Sequence, residues 1–345
     1  MGVKDTVTGD FPAHGNKTPA LRSGTLDFSF AGDWFLSMDS MPQHRQGVLF
    51  ALGAYILWGV APIYFKQIRQ VPANEILGHR IIWSFFFMLL LLTLCRNWGA
   101  VRNACRQPRQ LLLLAITAIL VACNWLTYIW AVNHNHMLEA SLGYFINPLV
   151  SVLLGMLFLG ERFRPTQWLA MLLAVCGVLV QLWTLGSLPV IALTLAFSFG
   201  VYGLLRKKIA IDGQTGMLFE TLWLLPAALI YLEWLADSPT SQFSQNPLSL
   251  NLLLMASGVV TTVPLLLFTA AAVRLRLSTL GFFQYLAPTL TFLLAILVYG
   301  ETITPDRLVT FAFIWLALGV FTFDALYTQR RLRRASLRVT RDVTR

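Results

Sequence analysis

The chain has 345 residues, 57% of them hydrophobic and only 12% charged, with a mean hydropathy of +0.65 and a formal net charge of +10. A soluble domain averages about 45–50% apolar and about 25% charged, so this composition excludes a water-soluble globular protein and makes lipid the solvent. The cations come in short bursts between apolar segments, the pattern of membrane orientation and not of a nucleic-acid-binding face, and no nucleic-acid partner is expected.

Residues 1–42 are polar, lack the apolar core of a signal peptide, and read as a disordered leader; the membrane pattern begins directly after Met41, which reads as the natural start. A helical span needs about 20 apolar residues. Ten such stretches follow: 46–66, 73–95, 110–132, 138–159, 166–184, 187–206, 214–235, 250–272, 277–299 and 306–327. The fold class is therefore all-α, a polytopic membrane protein of ten transmembrane helices, with connections too short to hide a soluble catalytic domain. Residues 43–185 and 186–328 hold five spans each, and 329–345 form a basic tail.

Span two enters through NEILGHRIIWS at 74–84. Glu75 and His79 stand four apart and share a helix face, with Arg80 one position further on. An ionisable group inside a membrane is a functional candidate by default. Arg80 suits an anion hook for a substrate carboxylate or a partner for an internal acid, His79 a further substrate contact, and Glu75 a carrier of a coupling proton. The competing reading is that Glu75 and Arg80 snorkel to the interface. Asn124 in span three, with Trp125 and Tyr128 beside it, either lines a central cavity or ties helices together. The NHNH run at 133–136 has no accompanying Cys or acidic ligands, so no metal is expected.

Span four carries Pro148 near its middle, and span nine carries Pro288. Each proline deprives a carbonyl of its helical partner, Tyr144 in one span and Gln284 in the other. Such a carbonyl is costly in lipid unless it turns toward other helices or a wet cavity. Tyr144, Asn147, Gln284 and Tyr285 are therefore candidate cavity-lining residues, and the two prolines candidate hinges; the alternative is that they only shape packing. The runs through both prolines stop on Gly-Glu, at 160–161 and 300–301. Gly suits the position after a helix end, but an acid beside the negative helix terminus does not. Glu161 and Glu301 thus need a reason: capping the following helix, pairing with a loop arginine such as Arg164, or latching a gate. Glu220, an isolated acid in span seven, is the main candidate for a coupling proton because desolvation favours the neutral carboxyl. Its rival role is a structural pair with an arginine of a facing helix. Glu139 opens span four, where an acid favours the positive helix end, and reads as structural. Cys95, Cys105, Cys123 and Cys176 have no paired spacing, so neither a disulfide framework nor a cofactor is implied.

Charge sets the orientation. The loops after spans two, four, six and eight hold eleven cations (Arg96, Arg102, Arg106, Arg109, Arg162, Arg164, Arg206, Lys207, Lys208, Arg274 and Arg276), whereas those on the other side hold three (Lys66, Arg69 and Arg307). The positive-inside rule then makes both termini cytoplasmic. The chain also repeats itself: SLGYF at 141–145 matches TLGFF at 279–283, and Pro148, Gly160, Glu161 and Pro165 match Pro288, Gly300, Glu301 and Pro305 at an offset of 140. At an offset of 141, Gly59 falls opposite Gly200, Lys66 opposite Lys207 and His79 opposite Glu220; Asn124 falls opposite Thr262 at 138. Five spans per half is an odd number, so the halves must be inverted, as in secondary transporters whose substrate site lies near the midplane.

Ten spans, a five-plus-five repeat and the P…L…GE signature resemble the EamA-type branch of the drug/metabolite transporter superfamily. The runs RQGVLFALGAYILWGVAPIYFK, EILGHRIIWS, EASLGYFINPL and YGLLRK resemble its bacterial RarD group, over roughly residues 43–330. The resemblance implies an inner-membrane transporter with a central cavity and matches Arg80 to an arginine that such proteins often carry in this helix. The expected function is a secondary transporter of the cytoplasmic membrane, exporting a small metabolite or drug-like molecule (an amino acid or amphipathic compound) by alternating access. Proton coupling would run through Glu220 or Glu75. Its partners would be the small-molecule substrate, protons, and a bilayer whose anionic headgroups meet the basic tail; the oligomeric state is not legible. No Walker A, GxSxG or HExxH motif occurs, and no enzymatic activity is expected. An integral membrane enzyme, the first rival, would need paired carboxylates or a histidine cluster at one face. A sensor or accessory protein would need a larger docking surface than the leader and tail provide.

Overall fold

The computed structural model describes residues 41–343 except 135, 186–187, 235–244 and 301–304. Most of the expected leader and Glu301 lie outside the described residues. Ten helices among the described residues are long and apolar enough to cross a membrane. In order they are Gln43–Gln67, Ala73–Leu94, Pro108–Asn133, Met137–Leu159, Pro165–Leu185, Val190–Lys208, Gly213–Trp234, Leu248–Arg274, a ninth in two segments (Leu277–Gln284 and Leu286–Leu297), and Pro305–Val343. A short helix, Trp98–Cys105, links spans two and three. Span ten continues without a break into the basic tail.

Proline and glycine punctuate these helices. Spans three, five and ten start on Pro108, Pro165 and Pro305, and spans one, two, six and eight follow directly on Pro42, Pro72, Pro189 and Pro247. At the first turn the missing N–H costs nothing, because that group would have no helical partner. Span four ends at Gly160, whose φ of 63° is left-handed, and the Glu161 N–H then bonds back to Gly155 O at 3.1 Å. The Gly160 N–H turns back to the same carbonyl, a six-to-one closure that explains why glycine stands there. Gly300 repeats the same φ of 63° at the end of the run through span nine.

The principal helix pairs recur when the halves are exchanged. Span one packs on eight as six packs on three, span four on six as nine on one, and span two on eight as seven on three. Spans two and seven, four and nine, and five and ten pair with their own counterparts. The correspondence reaches single residues: a Cβ on Gly59 would press on Leu290 of span nine, and one on Gly200 would press on Val150 of span four. Small residues here let helix backbones approach, which is how helices associate where lipid removes the hydrophobic drive. The outside of the bundle is apolar and open to lipid, with Trp183 90% and Leu297 77% exposed.

Two features break this regularity. Span four runs continuously through Pro148, whereas span nine breaks between Gln284 and Leu286, two residues before Pro288. Span four also packs against the first segment of span nine without any extended packing against the second, which lies on span one instead. The two helices therefore meet at the face that carries the ends of spans four, six and eight, and part toward the opposite face.

Candidate functional site

Arg80 stands about two turns beyond the start of span two and is half-buried among four spans. Its Nε donates to Thr261 Oγ1 of span eight at 2.8 Å, and its guanidinium lies 4.8 Å from the ring centre of Trp125 in span three and 5.6 Å from that of Phe65 in span one. Cation–π contact and one side-chain hydrogen bond thus hold the head in place. No carboxylate pairs with it among the described residues. Tyr128, one turn after Trp125, meets Tyr144 of span four with ring centres 6.0 Å apart. Tyr144 is 49% exposed although it lies in a helix packed on four others. Arg80 lies close enough to both tyrosines to interact with them electrostatically. Together these groups present a cation, two phenol hydroxyls and an indole face, a set that can orient an amphipathic carboxylate.

The other candidate residues take different positions. His79 and Glu75 are both buried, with His79 Nε2 3.9 Å from Glu75 Oε1. Asn124 donates to Leu195 O and Ser198 Oγ of span six, each at 2.9 Å, so it ties spans three and six together. Asn147, Gln284 and Tyr285 gather where spans four and nine cross. Ser151 donates to Gln284 Oε1 at 3.3 Å, and the Tyr285 hydroxyl donates to Phe145 O at 3.1 Å, one residue beyond the carbonyl that Pro148 frees. Gly281 sits so close to the chain at Pro148 that a Cβ there would come within 2.9 Å of Pro148 O.

Glu220 is 1% exposed and closes a second polar cluster. Thr117 of span three donates to its Oε1 at 2.6 Å, the Tyr202 hydroxyl of span six donates to Oε2 at 3.4 Å, and Arg206 Nη1 lies 3.7 Å from Oε1. Arg206, a loop cation by sequence, is itself 1% exposed. Its guanidinium lies against Gly216, where any Cβ would overlap it.

Among known proteins, a family model described as the EamA-like transporter family matches residues 45–183, the length of one five-span half. Protein RarD of Salmonella typhimurium is 69% identical over 84% of this chain and 98% of its own length. The chain belongs to the EamA-like transporter family. An uncharacterized transporter of Vibrio cholerae serotype O1 is 58% identical over 84% of this chain and 96% of its own. A solved structure described only as "Crystal structure of protein" superposes with a TM-score of 0.64 at 20% identity, covering 84% of this chain and 99% of that one, which shows the shared fold alone.

In this EamA-like transporter the Gly-Glu at the end of span four reaches across the repeat. Glu161 Oε1 accepts from the Leu277 N–H at 2.6 Å and Oε2 from the Ser278 N–H at 2.9 Å and from the Ser278 hydroxyl. It therefore caps span nine, not the adjoining span five, and Arg164 pairs with Asp324 of span ten at 3.0 Å. His134 and His136 both stack on Trp130, and no metal-ligating cluster occurs among the described residues. Sequence reasoning missed Arg206, Thr117, Tyr202 and Thr261. The latter three are ordinary residues in apolar runs, and Arg206 was masked by two lysines that follow it.

Proposed function

We propose that this chain is a secondary transporter of the cytoplasmic membrane, with both termini cytoplasmic, exporting a small amphipathic metabolite or drug-like molecule that bears a carboxylate, amino acids included. The observation that carries the reading is Arg80: a cation held inside the bundle by an aromatic ring and a hydroxyl, without a carboxylate of its own. A protein pays heavily for an unpaired intramembrane cation, and a substrate anion supplies the missing partner. The cation asymmetry between the two faces supports the orientation, and it persists with buried Arg206 removed from the count. Spans four and nine meet at the cytoplasmic face and part toward the outer one, which suits the outward-open state of an alternating-access cycle.

Between the two candidate acids, we assign the coupling proton to Glu75. Glu220 already faces Arg206, Thr117 and Tyr202, and an acid so engaged suits a structural tie. Glu75 shares a helix with Arg80, five residues away, and pairs with His79, so its protonation can respond to substrate.

Counterflow in proteoliposomes tests the reading, with labelled amino acids, small organic acids and chloramphenicol, with and without an imposed pH gradient. Glu75→Gln is expected to abolish gradient-driven movement and leave counterflow intact. Equal gradient response in Glu75→Gln and the parent protein would remove the coupling assignment. Absence of counterflow across the panel in folded protein would remove the substrate class.

A further inference from the structure

We propose that Glu161 and Lys207 form the latch that closes the cytoplasmic end of the transporter, and that Lys66, the repeat counterpart of Lys207, forms the matching latch at the outer end in the alternate state. The proposal rests on the alternating-access reading above.

At the cytoplasmic end the contacts are direct. Glu161, at the end of span four in the first half, accepts from the Leu277 and Ser278 N–H groups at 2.6 and 2.9 Å and from the Ser278 hydroxyl, at the start of span nine in the second half. The carboxylate meets a positive helix end, its favoured site. Lys207, at the end of span six, donates to Ala272 O at 2.9 Å and to Leu275 O, at the end of span eight. The ammonium meets a negative helix end, again its favoured site. Both groups line one cavity of about 610 Å³ together with Leu159, Arg162 and Arg274. Water therefore reaches the latch, and it can open without exposing a charge to lipid.

Exchange of the halves maps spans four, six, eight and nine onto nine, one, three and four. Lys66 takes the place of Lys207, and Tyr299 the place of Leu159, the cavity neighbour of Lys207. In this structure the Lys66 ammonium sits 2.9 Å from the ring centre of Tyr299 and makes no hydrogen bond among the described residues. It is thus anchored to span nine as Lys207 is placed beside span four, but it does not hold the end of its third helix. That asymmetry has the same sense as the parting of spans four and nine at this face. When the outer face closes, the end of span three at His134, the counterpart of Ala272, comes within reach of Lys66. One set of helix-end contacts is exchanged for its mirror, so neither state leaves every cation without a helix terminus.

The test is a distance measurement between spin labels on His136→Cys and Val298→Cys, at the outer ends of spans four and nine, in a background lacking the native cysteines and without substrate. Glu161→Ala is expected to raise the short-distance, outer-closed population by about tenfold, the worth of a lost charge-assisted hydrogen bond. Adding Lys66→Met to Glu161→Ala is expected to reverse that shift, and Lys66→Arg to preserve it. Should Glu161→Ala not fold, Lys207→Met and Ser278→Ala are read in the same way. A parent-like distribution in the latch variants, or a Lys66→Met change that does not oppose them, overturns the proposal. Because no substrate is present, failure here is distinct from failure of the substrate assignment.

Discussion

Two arginines lie inside this bundle, and their surroundings differ in one respect that matters. Arg206 is fully buried and faces the carboxylate of Glu220 at 3.7 Å, with Gly216 making room for its guanidinium. Arg80 is half-buried, faces Trp125 and Thr261, and has no carboxylate within pairing distance among the described residues. A buried charge whose partner is built into the fold is a structural commitment, because removing either member strands the other. A charge held by an aromatic face and a hydroxyl keeps donors that no carboxylate among the described residues takes up. The contrast teaches that an intramembrane cation is read by what the protein declines to pair with it.

The largest effect should come from breaking the sealed pair. Arg206→Ala or Glu220→Gln is expected to cost about 3–5 kcal/mol, read as loss of monodisperse protein and a lowered thermal midpoint in detergent. Replacing both by methionine should recover most of that stability. Recovery that fails would show that Thr117 and Tyr202, not the ion pair, carry the cluster. Arg80→Ala should behave in the opposite way. Its midpoint should stay near that of the parent, while counterflow falls tenfold or more, as the loss of a charged hydrogen bond worth about 1.5–3 kcal/mol requires. A large drop in stability instead would make Arg80 a second structural cation and erase the comparison.

Gly216→Ala sharpens the difference from the other side. The added methyl presses on the Arg206 guanidinium, so a loss of about 1–3 kcal/mol in stability is expected with no change in apparent substrate affinity. The smallest effect should be that of Thr261→Val, which removes the hydrogen bond orienting Arg80. Apparent affinity should weaken by about two- to tenfold, matching about 0.5–1.5 kcal/mol, and Thr261→Ser should restore it. Equal affinity in both variants would mean that Trp125 alone positions the guanidinium.

Much of this was legible in the chain. Ten apolar runs, the cation bias and the offset of 140 between the Pro148 and Pro288 signatures gave the span count and the repeat, because lipid demands length and apolarity that no other solvent does. Arg80 and Glu220 stood out for the same reason: a charge in an apolar run is conspicuous. Their fates were not legible. Both lie in spans with near-uniform apolar neighbours, and nothing local tells that Glu220 meets a guanidinium from span six and Arg80 a ring from span three. Glu161 shows the same limit. Its place after Gly160 marked it as unusual, yet its partners lie 116 and 117 residues away in the chain.

What the sequence determined by itself was the membrane class, the ten spans, their duplication and the positions of the costly residues, all of which follow from transfer of single side chains and backbone segments into lipid. What only the tertiary structure decided was pairing. It settled which buried arginine faces a carboxylate and which faces a ring and a hydroxyl. It also broke span nine before Pro288 and left span four whole around Pro148, although both carry the same motif. Pairing depends on which helix ends and faces meet across the repeat, and that is set by the close approach at Gly59, Gly200 and Gly281 and not by any local run of residues.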